Sequence, residues 1–338
     1  MSVEIWPPIT PEQLKIEEDA TLARELTWLL SELQSTLKTL KSSLEETYAL
    51  LAPIDPGSTL VVSTPRHEAV KGHVTRVGTR LVKGTIHLRL KTIPHQGLTL
   101  DASNPIHIPE LITLNTLLTQ SVDILSFIVS ESTNGRSDPK FLSSQLRLLS
   151  EYLAESLSLI KGPQLTEQSP EVDTLWTSSS VPPSCFTPPL PPNLSFYITL
   201  QDASLVLYIR ALESADAPVN FGTKFALAIG TARRLEHDEA DRVFAYCPEG
   251  ADEQPPITAS GSIRGNLHRT RSGGRGGGMG KGRGTETQVY VREKVRVESA
   301  DPSLMSLSAK LGALGHTLLL ARRNLAVVIG EDLPEIGV

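Results

Sequence analysis

The stretch Glu25-Leu-Thr-Trp-Leu-Leu-Ser-Glu-Leu-Gln-Ser-Thr-Leu-Lys-Thr-Leu-Lys-Ser-Ser-Leu44 decides the fold class. Leu26, Leu30, Leu33, Leu37, Leu40 and Leu44 alternate four and three residues apart, and Leu51 extends the row. That spacing lays one apolar seam along a helix, interrupted only at Thr47 with Tyr48 beside it. It predicts a helix from Pro11 to Leu51. Glu17, Glu18 and Asp19 lie early in it, where carboxylates complement the positive end of the helix dipole. Pro53, Pro56 and Gly57 stop it.

Three further segments carry the same signature. Leu111, Leu114, Leu118, Val122, Leu125 and Ile128 predict a helix from Pro109 to about Ser130. Leu142, Leu146, Leu149, Leu153, Leu157 and Ile160 predict another, opened by the cap and proline of Asp138-Pro139 and closed by Gly162-Pro163. The short polar connection between them makes the two antiparallel neighbours. The last helix opens at Asp301-Pro302 and steps from Leu304 through Leu307, Leu311, Leu314, Leu318, Ala321 and Leu325 to Val328.

Between the helices the period changes from 3.6 to two. Thr59–Thr64, His73–Val77 and Thr85–Thr92 are β-branched and punctuated by Gly72, Gly78 and Gly84. Ile86, Leu88 and Leu90 face one way while His87, Arg89 and Lys91 face the other, as in antiparallel strands with one wet side. Leu194–Leu200 and Ser204–Arg210 form a hairpin candidate around Gln201-Asp202-Ala203. Phe225–Ile229, Val243–Tyr246 and Gln288–Arg292 complete a second β block. Residues 164–193, rich in Ser and Pro, read as a crossing linker with little regular structure. Residues 249–287 lack apolar periodicity and read as a disordered Gly/Arg-rich hairpin insertion.

The expected fold is therefore α+β: an antiparallel four-helix bundle of long leucine-striped helices plus a small antiparallel β-sheet domain. The bundle takes residues 11–52, 109–161 and 302–330, and the β domain takes 58–93 and 194–298, at the bundle's far end. Burying every stripe within one chain is favoured over an intermolecular coiled coil, because four such helices are present together.

Composition narrows the function. The chain has 338 residues, 39% hydrophobic but only 5% aromatic, and a formal net charge of −6, which disfavours a dedicated nucleic-acid binder. Cys185 and Cys247 are far apart and read as two idle thiols of a reducing compartment. No secretory signal pattern opens the sequence and no run of eighteen apolar residues occurs, so a protein that neither crosses a membrane nor enters the secretory route is expected.

Motifs for chemistry fail on inspection. The run Gly273-Gly-Arg-Gly-Gly-Gly-Met-Gly-Lys-Gly-Arg-Gly284 looks like a phosphate loop. Arg275 stands where that loop needs glycine, however, and Gly282 stands where it needs Ser or Thr. His67-Glu68 is followed by Lys71 where a second zinc ligand should be, and His73, His87, His95, His107, His237, His268 and His316 are scattered. Gly261-Ser262-Ile-Arg-Gly265 misplaces its serine for a nucleophile elbow. Cys247 has no neighbouring histidine, and Glu17-Glu18 and Asp238-Glu239 fall on expected solvent faces or loops. No catalytic, cofactor-binding or metal site is expected, no cofactor, and no enzymatic activity. Six Lys/Arg without a carboxylate between Ser260 and Thr285 leave one alternative, an RNA-associated protein acting through Arg264–Arg283 by counterion release.

The order of these elements resembles the Rogdi family. Glu25-Leu-Thr-Trp28-Leu-Leu30 resembles its opening helix. Val70-Lys71-Gly72-His-Val-Thr75 and Ile86-His-Leu-Arg-Leu90 resemble its first strands. Pro189-Leu190-Pro-Pro-Asn-Leu194, Phe196-Tyr-Ile-Thr-Leu200 and Leu205-Val-Leu-Tyr208 resemble its central hairpin. Lys294-Val-Arg-Val297 and the closing helix resemble its end. The resemblance is collinear over nearly the whole chain. It departs at the 249–287 insertion and at the longer Ser/Pro linker.

What it implies is a non-catalytic adaptor of the RAVE complex, which promotes assembly of the V-type proton ATPase and so vacuolar and endosomal acidification. Implied partners are a large WD-repeat RAVE subunit, a Skp1-like protein and cytosolic-sector subunits of the pump, with no small-molecule substrate and no strong nucleic-acid binding. The implied location is the cytoplasm, with peripheral recruitment to vacuolar and endosomal membranes through those partners alone.

Overall fold

A computed structural model describes residues 9–51, 57–133, 138–163, 174–215, 237–240, 242–247 and 287–331, apart from the side chains of His67, Ser132 and Thr133. The helices are α1 (Pro11–Leu51), α2 (Pro109–Thr133), α3 (Pro139–Lys161), the single turn α4 (Trp176–Ser179) and α5 (Pro302–Ile329). The strands are β1 (Ser58–Ser63), β2 (Val70–Val77), β3 (Arg80–Leu88), β4 (Gln96–Leu100), β5 (Ile106–His107), β6 (Phe186–Thr187), β7 (Leu194–Gln201), β8 (Ser204–Ser214), β9 (Val243–Tyr246) and β10 (Thr287–Ala300).

The strands form two antiparallel sheets. One has six strands in the order β1-β2-β3-β4-β6, with β5 also pairing to β3. The other has four, in the order β7-β8-β10-β9. They meet where the Ser299 hydroxyl of β10 donates to the Val61 carbonyl of β1 at 2.8 Å.

This overturns part of the expected architecture. The α+β class stands, but the chain is not an antiparallel four-helix bundle carrying a small β domain. Two substantial sheets replace the one small one, and they contribute to the core on the same footing as the helices. The physical reason is burial. β8 is buried on both faces from Ser204 to Arg210 except at Tyr208, and β10 runs for 14 residues. The helical leucines Leu37, Leu118, Leu146 and Leu311 belong to one continuous apolar core with Leu81 and Ile86 of the first sheet and Phe196 and Leu207 of the second. The stripes therefore end on sheet side chains as well as on each other.

Within the helical layer, α1 packs on α2 and α5, and α3 packs on the same two. Each inward leucine brings roughly 1.5–3 kcal/mol of burial. Asp138 and Asp301 cap α3 and α5 as their sequences require, accepting from Lys140 N–H and from Ser303 and Leu304 N–H respectively. The alternation in β3 also stands, with Ile86 and Leu88 buried and His87 exposed.

Residues 174–193 differ from the expected irregular linker. They hold α4, a 3-10 turn at Pro183–Cys185 and β6. Trp176, Phe186 and Leu190 are buried there. Serine and proline content misled because three apolar anchors are enough to pin a short segment whose other residues merely turn. The strand expected at Phe225–Ile229 and the Gly/Arg-rich insertion at 249–286, with the RNA reading attached to it, lie outside the described residues.

Candidate functional site

Among the described residues no three His, Cys, Asp or Glu side chains come together in a way that could hold a metal ion. His73, His87, His95, His107 and His316 are each exposed on separate elements. Neither Cys185 nor Cys247 is in a disulfide. Three other places have organised geometry.

The first is a charged cluster on the outer side of the second sheet. The Arg210 guanidinium stacks 4.5 Å from the Trp176 ring and 5.3 Å from Tyr208. Its Nε and Nη2 donate to the Glu239 carboxylate at 2.7 and 2.8 Å, a fork that matches carboxylate geometry. Lys294 Nζ reaches Glu239 at 2.7 Å and Asp238 at 2.8 Å. Burial pushes the Glu239 carboxyl up, but hydrogen bonds and charge from Arg210 and then Lys294 outweigh it and hold it below its ordinary value. Asp238 is likewise held down, its partial burial outweighed by the Lys294 ammonium.

Asp238-Glu239 lies in a turn, within the expected solvent faces or loops, and Asp238 is exposed, but Glu239 is not. Glu239 is buried and ties the 237–240 turn to β8. Nothing in the local sequence signals it, because its partners lie 29 and 55 residues away in β8 and β10. Three aromatic residues beside it, Trp176, Phe244 and Tyr246, form a small second core with Leu212, Val289 and Val291. The cluster is a clamp. It joins α4 and the 237–240 turn to β8 and β10.

The second is an open cleft of about 970 Å³ between the start of α2, the end of α3 and the β7–β8 turn. Glu110, Lys161, Thr199, Gln201 and Asp202 supply its polar lining. Thr199 donates to Glu110 Oε1 at 3.0 Å, while the buried Oε2 has no hydrogen-bond partner among the described residues. Burial, then the charge of Glu110, pushes the nearby Tyr197 hydroxyl above its ordinary value. The walls are formed because Gly162 ends α3 at φ +67° with its Cα against the Leu200 carbonyl. Two carboxylates, Glu110 and Asp202, and one ammonium, Lys161, suit the cleft to polar contact.

The third is the free end of α1. Glu46 near its C-terminus pairs with Lys310 of α5 at 3.3 Å, and Leu40 and Leu44 lie with Leu314 and Leu318, so the two helices run antiparallel. Counting from that pair, Gly330 at the end of α5 comes level with Leu26. The turns from Pro11 to Glu25 extend beyond it and are exposed throughout. Leu14, Ile16, Leu22 and Trp28 stand out in solvent there.

Helices α2 and α5 are long and apolar enough, by length and composition, to cross a membrane. The inward stripes that give them that composition are spent in the shared core, on Leu111, Leu118 and Leu125 in one and Leu307, Leu311 and Leu318 in the other.

Curated proteins yield no match to this chain. A family model, that of the Rogdi leucine zipper containing protein, matches residues 25–326. That span runs from within the first half of α1 through both sheets into the last turn of α5, and membership in such a family suggests a non-enzymatic role in protein interaction. The chain belongs to the Rogdi family.

Proposed function

We propose that this protein is a non-catalytic adaptor of the RAVE complex that promotes assembly of the V-type proton ATPase, and through it vacuolar and endosomal acidification. The observation that carries the reading is the family match over residues 25–326, which takes in every long helix and both sheets. The described surface is compatible with it: a main apolar core shared by the helices and both sheets, a polar cleft, and an exposed helical end. A large WD-repeat RAVE subunit, a Skp1-like protein and cytosolic-sector subunits of the pump are its partners. It acts in the cytoplasm and reaches vacuolar and endosomal membranes through them.

The test is a tagged pull-down with mass spectrometry, joined to vacuolar pH measurement in cells lacking the gene. Recovery of a WD-repeat protein together with pump subunits, and an alkaline vacuole on deletion, are the expected results. A normal vacuolar pH in the deletion, with neither partner recovered, would remove the reading.

A further inference from the structure

The first sheet has one face in the core and one in water, and the wet face carries charge of a single sign. Leu60, Val74, Ile86 and Leu98 point inward from β1 to β4 into the main core. The residues that alternate with them point away. On β2 these include Lys71 and His73, and on β3 Lys83 and His87, all four exposed. None of the four ion-pairs with another described residue. Apart from Val61, the other outward positions of β1 to β4 are threonine, serine or glycine. No outward position on these strands holds a carboxylate. Glu68 and Asp101 lie in the connections, and Asp101 is spent on the N–H and hydroxyl of Ser103. Strand pairing sets His87 opposite Lys71 and Lys83 opposite Thr75. The two lysines therefore stand about 13 Å apart along the strands, with His73 and His87 beside or between them.

A surface that only needs to stay in water mixes both signs of charge. A basic face without carboxylates, on a chain whose formal net charge is −6, is a field that steers an anionic partner. Nucleic acid is disfavoured as that partner, because no aromatic side chain faces outward here for bases to stack on. A bilayer is disfavoured because Val61 is the only large apolar side chain on the face. We propose that this face docks an extended acidic segment of a partner protein. In an extended chain every second side chain lies on one side, about 6.6 Å from the next. Carboxylates at three alternate positions thus span the distance from Lys71 past His73 to Lys83, and the flanking threonine hydroxyls donate to them. This rests on the reading of the protein as an interaction module, whichever assembly it serves.

The probe is a labelled dodecapeptide of alternating Glu and Ser, and its control alternates Lys and Ser. The full chain is titrated into each, with anisotropy as the readout. The acidic peptide is expected to bind at least about tenfold more tightly than the basic one at low salt, and to weaken as salt rises. Lys71→Glu with Lys83→Glu weakens it at least about tenfold. Lys38→Glu with Lys140→Glu makes the same change of net charge on α1 and α3 and leaves binding within about twofold of the parent. All four lysines are exposed, so both double variants keep the parent's thermal midpoint. No binding of the acidic peptide overturns the proposal. Equal weakening in the two double variants does so too, since net charge would then govern. Binding that ignores Lys71→Glu with Lys83→Glu places the site elsewhere, on the arginines of 264–283 first of all. Oligouridylate or phosphatidylserine vesicles bound more tightly than the peptide, and released by the same double variant, make the partner a nucleic acid or a membrane instead. Self-association in sedimentation that Lys71→Glu with Lys83→Glu dissolves makes it a second copy. Vacuolar pH enters none of these readouts, so this inference and the pump-assembly reading fail separately.

Discussion

Arg76 of β2 and Asp301, the residue that caps α5, form a fully buried ion pair at 2.5 Å. One Asp301 oxygen takes the Arg76 Nε, the other accepts from Ser303 and Leu304 N–H, and Arg76 Nη1 donates to the Gly78 carbonyl. The first sheet is thus fastened to the start of the last helix through a single carboxylate. Asp301→Ala removes the cap and strands a guanidinium away from water. A loss of about 3–5 kcal/mol is expected, read from urea unfolding. Arg76→Met with Asp301→Asn, which keeps a capping oxygen and buries no charge, is expected to recover much of that loss.

Glu239 gives a pH dependence whose sign follows from its partners. Its carboxyl is held below the ordinary value in the folded chain, so the stability it contributes is complete above the unfolded carboxylate range, near pH 4.5. That contribution is lost as pH falls through the lower folded value, when protonation breaks the fork to Arg210. Asp238 adds in the same direction. Glu239→Gln is expected to lower stability at pH 7 and to flatten the acid limb between about pH 5 and 3. Thermal midpoints taken across that range check it; an acid limb as steep as the parent's would show that other carboxylates govern it.

These two pairs mark the limit of what could be read from the chain alone. The leucine seams, the caps Asp138 and Asp301, and the alternation in β3 are local patterns, and each is where its spacing puts it. The partition into a bundle and one small sheet is not. That depends on where strand side chains end up, and a fully buried strand such as β8 has no alternation to count. Trp176 sits in a Ser/Pro-rich segment yet is fully buried, because its pocket comes from Leu212, Phe244 and Val291 far along the chain. Arg76–Asp301 and Arg210–Glu239 join residues 225 and 29 positions apart. The Glu110 cleft is likewise assembled from three distant stretches. Family motifs carry the order of elements; they carry no sign of these cross-chain contacts.

Gly162 is where backbone geometry permits no side chain. Its φ is +67°, and a Cβ there would lie 2.1 Å from the Leu200 carbonyl oxygen. Its own N–H caps α3 on Ser158, so the helix cannot shift without losing that bond. Gly162→Ala is expected to cost more than the ~1 kcal/mol of a strained glycine site alone, because β7 must move with it. The urea midpoint measures the cost. Gly312→Ala, which meets no atom in mid-α5, is the control and should be neutral or slightly stabilising.

The seam of α1 makes one prediction that separates its two halves. Leu37 is completely buried between α2 and α5, whereas Leu22 lies beyond the end of α5 and is half exposed. Leu37→Ala leaves a cavity in a core that both sheets share, and a loss of about 2–5 kcal/mol is expected. Leu22→Ala removes a side chain that water already reaches, and a change within about 0.5 kcal/mol is expected for the isolated protein. Identical chemistry at two turns of one helix thus gives unequal costs, which equilibrium unfolding by circular dichroism resolves. Equal losses at both positions would mean that the first turns of α1 are packed in solution and that the free end described here does not exist.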